Sequence, residues 1–154
     1  MSQSTAEKIE AHIDQLIETW IHAIRDDPSI ESDDNLSKPE LIDHVPAIIE
    51  EICRLIRKDE TPDVRNSHEA RANVYTRFHQ GYTGRDLIRE LSLLRITLLD
   101  HLLVISSDES RGLDAEEWHR AARILNLYLD EEMVYAISVY SKLPGDSQPE
   151  ATDS

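Results

Sequence analysis

Apolar residues recur along the chain at the three- and four-residue intervals of amphipathic helices. From Thr5 to Arg25 the positions Ile9, Ile13, Leu16, Ile17, Trp20, Ile21 and Ile24 form one stripe, which Asp26-Asp27-Pro28 ends. An acidic, loop-like run leads to Ser37-Lys38-Pro39-Glu40, which reads as a capping box. The serine accepts from a free backbone N–H, the glutamate reaches back, and proline stands where no donor is needed. The second helix extends to about Lys58, with Pro46 placed to kink or split it. Asn66 with Glu69 predicts the next cap, and a third helix runs to about Gln80, where Gly81 is a fitting stop. Thr83 with Asp86 opens a fourth helix reaching Ile105, and Asp114 with Glu117 opens a fifth reaching Tyr140. The polar tail from Pro144 is expected to be disordered, giving a helical domain over 1–141 and a tail over 142–154.

The fourth helix carries leucine, isoleucine or valine almost all round, and the fifth has a second apolar set beside its main stripe. Burial is worth about 25 cal/mol per Å² of apolar surface, so such helices favour association if one chain cannot cover them. The expectation is a homodimer in which these two helices from each copy build a four-helix bundle. Leu94, Leu98, Leu102, Leu125, Tyr128, Met133 and Ile137 are the candidate interface. The competing reading is that the two helices are simply central in a monomer.

Composition agrees with an all-α domain of five helices: among 154 residues there are only four Gly and six Pro, mostly between helix-like segments. The net charge of −15 argues against nucleic acid and against insertion at an anionic membrane surface. Cys53, the single cysteine, excludes an internal disulfide and a cysteine-built zinc site, and reads as a small buried hydrophobe. No apolar run approaches the ~18 residues of a membrane span, and a cytoplasmic location is expected.

The segment Asn73-Val74-Tyr75-Thr76-Arg77-Phe78-His79-Gln80-Gly81-Tyr82, followed by Leu87 to Arg95, resembles the N-terminal domain of RsbR-type co-antagonist proteins, the RsbRD N-terminal family. Arg77, Gly81, Tyr82, Glu90, Leu94 and Arg95 match its pattern: an arginine four residues before a Gly-aromatic turn, then a glutamate, then Leu-Arg. Leu36 to Pro46 is similar to the family's second-helix opening, and Asn126 to Tyr140 to its closing helix. One departure is Asn73, which stands where the family leads one to expect histidine. The resemblance implies a dimeric, haem-free globin-like module of stressosome scaffolds or sensor histidine kinases, which senses a stimulus or docks a signalling protein.

Candidate chemistry is sparse. Of seven histidines, His79 or His101 is placed to ligate haem, yet aromatic content is only 5%, and surface histidine is the better account. Ser67-His68-Glu69-Ala70-Arg71 resembles a phosphoacceptor segment, which a plain helix start explains equally well. Glu116 with His119 is half of a di-metal carboxylate motif, so no metal is expected, and no cofactor. Arg77, Glu90 and Arg95 form either a structural ion-pair cluster or a small anion site, set on helices joined by the Gly81-Tyr82 turn. The sequence thus predicts a non-enzymatic signalling domain. The alternatives are a purely structural dimerisation adaptor and a small histidine phosphotransfer protein using His68.

Overall fold

The computed structural model describes residues 4–106 and 114–142. All the described regular structure is helical: α1 (Thr5–Glu10), α2 (Ile13–Asp26), α3 (Lys38–Ile42), α4 (Val45–Lys58), a 3-10 turn (Val64–Asn66), α5 (His68–His79), α6 (Gly84–Ser106) and α7 (Ala115–Lys142). The predicted first helix is therefore two. Its break needs neither proline nor glycine. The His12 ring donates from Nδ1 to the Lys8 carbonyl at 3.0 Å, the acceptor that the His12 amide would otherwise use. The amide turns instead to Ile9 O, also at 3.0 Å, so a side chain has displaced one main-chain bond.

Pro46 splits the predicted second helix into α3 and α4, and it sits in the first turn of α4, where its missing N–H leaves no bond unmade. Ser37 and Glu40 form the expected capping box on α3. The cap of α5 falls one residue later than expected. Ser67 Oγ accepts from Ala70 N at 3.1 Å, whereas the Asn66 amide is engaged by Asp63 Oδ2 at 2.8 Å. Thr83 caps α6 through Asp86 N at 3.1 Å, and Asp114 caps α7 through Glu117 N at 2.8 Å. Lys142, expected to open the tail, is the last residue of α7. The rest of that tail, 143–154, and most of the predicted loop, 107–113, lie outside the described residues.

Helices α6 and α7 run antiparallel, with Gly84 at the start of one facing the Tyr140 ring at the end of the other, so closely that a Cβ added to Gly84 would stand 3.4 Å from Tyr140 Cδ2. They share the most extensive packing in the chain; α2 lies on α6, α1 on α4, and α4 and α5 on α7. These neighbours correct the predicted interface. Leu94, Leu98, Leu102, Leu125 and Tyr128 are all buried within the single chain, because the four-residue spacing of Leu94, Leu98 and Leu102 aims them into the core. Of the seven candidates, Met133 is partly buried and only Ile137 is exposed. The surplus apolar surface of α6 and α7 is made by Ile137 together with four residues outside the predicted set: Ile96, Leu103, Val104 and Val134.

Candidate functional site: a buried polar core between α5, α6 and α7

Helix α5 turns polar side chains inward. Asn73 and Arg77, one turn apart, are 1% and 0% exposed. Arg77 is ringed by acceptors. Nε donates to Glu90 Oε1 on α6 at 2.7 Å, Nη1 to Gln80 Oε1 at 2.7 Å and to Glu40 O at 3.2 Å, and Nη2 to Leu41 O at 2.5 Å. The last two carbonyls belong to the final turn of α3, where helix geometry leaves acceptors without a partner. One guanidinium thus closes α3 and neutralises Glu90, and its face lies 4.9 Å from the Tyr82 ring centroid.

Gly81 makes that stacking reachable. Its φ of +85° is a left-handed conformation that costs glycine little, and it folds the chain so that Tyr82 N donates to Arg77 O at 3.0 Å. Tyr140 Oη on α7 then donates to Tyr82 O at 2.9 Å. Trp20 Nε1 on α2 donates to the backbone oxygen of Glu90 at 3.1 Å. Burial raises the Glu90 carboxyl above the ordinary carboxylate range while Arg77 opposes the rise. Burial likewise raises the Tyr82 phenol.

The third member of the predicted cluster stands apart. Arg95 spans the α6–α7 seam, donating to Asp130 Oδ1 at 2.5 Å and Asn126 Oδ1 at 3.4 Å, with Met133 Sδ at 3.7 Å. Arg77 and Arg95 have their donors committed to different partners and do not form a joint anion site. Arg77 with Glu90 has the geometry of a structural pair.

One turn earlier on α5, Asn73 Nδ2 donates to Glu132 Oε2 on α7 at 3.0 Å. Glu132 is fully buried, and burial pushes its carboxyl up to about 8. Tyr128, one turn before it on α7, donates to Glu51 Oε1 of α4 at 2.7 Å, and Ser67 Oγ donates to the same oxygen at 2.6 Å. Glu51 and Ser67 line an open groove with His68 and Glu69. The sequence reading missed Glu132, which looks like half of an exposed Glu131-Glu132 pair. Its spacing carries the signal, because position 132 falls on the inward stripe of Leu125, Tyr128, Leu129 and Ala136.

The other sequence candidates are scattered. His68 is exposed in the first turn of α5, His79 is exposed at its end, and Glu116 and His119 are both exposed on α7. His101 packs edge-on against His12, with ring centroids 5.1 Å apart, and burial lowers its affinity for a proton. Among the described residues no group of three or more His, Cys, Asp or Glu side chains is arranged to hold a metal ion. No helix among them is long and apolar enough to cross a membrane.

No curated protein and no solved structure gives a significant match to the chain. A family model does: the RsbT co-antagonist protein rsbRD N-terminal domain matches residues 14–143. That span takes in α2 through α7 and with them Arg77, Gly81, Tyr82 and Glu90, and on it the chain belongs to the rsbRD N-terminal domain family, a family of stressosome-type signalling domains.

Proposed function

We propose that the chain is a dimeric signalling module whose two copies join along the outer faces of α6 and α7, and that docking of a signalling protein shifts this seam. The observation that carries the reading is the apolar surface left on the two longest helices. Ile96 is 48%, Val134 61% and Ile137 55% exposed. Met133 and Ile137 lie one turn apart on α7, and Arg95 reaches across from α6 to Met133 on that side. A two-fold axis lets each copy cover the same stripe of the other, so the seam becomes a four-helix bundle. The described hollows along the surface are open grooves, such as the one lined by Gln15, Thr19, Thr97 and His101. Open grooves suit a macromolecular partner better than a retained small molecule, which favours docking over sensing as the input.

Sedimentation velocity over a range of concentrations tests the seam. The unmodified chain should sediment as a dimer. Each copy carries a net charge of −15, so added salt should tighten the dimer by screening their repulsion. The double variant Ile96→Asp, Ile137→Asp places charge only at exposed positions and should sediment as a folded monomer. A single copy at all concentrations, or a double variant that still pairs, would overturn the proposal.

A further inference from the structure

Asn73 and Glu132 meet where solvent does not reach, and their hydrogen bonds do not add up if the carboxyl is charged. The amide nitrogen of Asn73 serves Glu132 Oε2 at 3.0 Å. The second atom of each planar group, Asn73 Oδ1 and Glu132 Oε1, is buried with no hydrogen-bond partner. An amide oxygen and a carboxylate oxygen are both acceptors, so neither can satisfy the other while Glu132 is ionised. One proton on Oε1 changes that. A carboxylic acid and a primary amide are complementary, each offering one donor and one acceptor side by side, and they close through two parallel hydrogen bonds.

We propose that Glu132 and Asn73 form a proton-dependent latch between α7 and α5: the carboxyl is held as the neutral acid, Oε1–H donates to Asn73 Oδ1, and loss of that proton opens the latch.

The charges around the pair favour the neutral form. Glu51 from α4 and Glu90 from α6 both act against a negative charge on Glu132, and Arg77 from α5 is the cation that favours one. Arg77 already gives its donors to Glu90 Oε1, Gln80, Glu40 O and Leu41 O. Tyr128 on α7 is turned to Glu51, and Arg65 of the 3-10 turn is exposed. Ionised, Glu132 is therefore a buried anion with one amide hydrogen bond, which is costly. Burial accordingly holds the carboxyl at about 8, so the proton leaves just above neutrality. Val134 and Ile137 lie on α7 within about a turn and a half of Glu132, so opening the latch acts on the helix that carries the seam. The latch itself stands whether or not two copies pair.

Glu132→Gln is the informative variant, because its amide can both accept from Asn73 Nδ2 and donate to Asn73 Oδ1 without titrating. The pH dependence follows from the raised carboxyl. Its stabilising effect is complete below the ordinary value of 4.5 and is lost as pH rises through about 8. The folding constant of the unmodified chain divided by that of Glu132→Gln, from urea unfolding, should fall roughly tenfold per pH unit between those limits and level off above them. A ratio that does not change with pH would overturn the latch. A second measurement needs no variant. Isotope-edited NMR of the glutamate side chains in the unmodified protein should find one carboxyl still protonated at neutral pH and titrating near 8. Finding every glutamate ionised at neutral pH would overturn it equally.

Discussion

Replacing Arg77 by methionine removes a buried cation and leaves its anion behind, with little change in apolar volume. Arg77 and Glu90 are 0% and 1% exposed and joined at 2.7 Å. Removing one partner of such a pair typically costs about 3–5 kcal/mol, because the remaining charge has neither water nor counter-ion. The carbonyl of Leu41 loses its 2.5 Å donor as well, which adds about 1 kcal/mol or more where water cannot replace it. Against a total stability of about 5–15 kcal/mol for an ordinary domain, Arg77→Met should leave the chain barely folded. Adding Glu90→Leu removes the stranded carboxylate and should restore at least about 2 kcal/mol, although the single change Glu90→Leu would itself be harmful. Glu90 without Arg77 escapes its isolation by taking a proton, so the deficit of the single variant should shrink as pH is lowered. The assay is urea unfolding followed by circular dichroism and tryptophan fluorescence, at one fixed protein concentration so that association does not enter the comparison. If Arg77→Met lies within about 1 kcal/mol of the unmodified chain, or the double variant is no more stable than the single, the pair does not carry the load assigned to it.

Two further outcomes are expected. Gly81→Ala meets no atom within 4 Å but must hold a φ of +85°, so its cost is backbone strain alone, about 1–2 kcal/mol by thermal unfolding, and an unchanged midpoint would refute this. Cys53 is fully buried, and burial pushes its thiol up to about 12. A thiol reagent should therefore label it at the rate of global unfolding, and fast labelling in native buffer would contradict the packing of α4.

The helices were legible because most of their starts are written in side chains. Ser37 with Glu40, Thr83 with Asp86, and Asp114 with Glu117 each satisfy amides that the first turn leaves free. The break at His12 was not legible, because it depends on a ring reaching a carbonyl and leaves no proline or glycine behind. Periodicity also failed to say which side of α6 faces inward. When apolar residues surround a helix, only its neighbours decide, and here Leu94, Leu98 and Leu102 went inward while Ile96 and Leu103 stayed outside. The same limit applied to charge. Arg77 and Arg95 both precede or follow the same turn in sequence, yet one points into the core and the other bridges to α7. Glu132 was the most informative miss: a carboxyl on an apolar stripe is a statement about burial, and the adjacent Glu131 disguised it.

The bend at His12 decides how one greasy stripe is shared out. A straight rod over Thr5–Asp26 would be about 33 Å long at 1.5 Å per residue and would follow a single neighbour. Broken after Glu10, the same stripe changes direction: α1 lies over α4, pinned by the pair between Glu10 and Arg57, and α2 crosses to α6. A ring nitrogen put in place of one amide thus lets a short N-terminal segment act as a clasp over the back of the domain, so that two separate helices are roofed by what the sequence wrote as one.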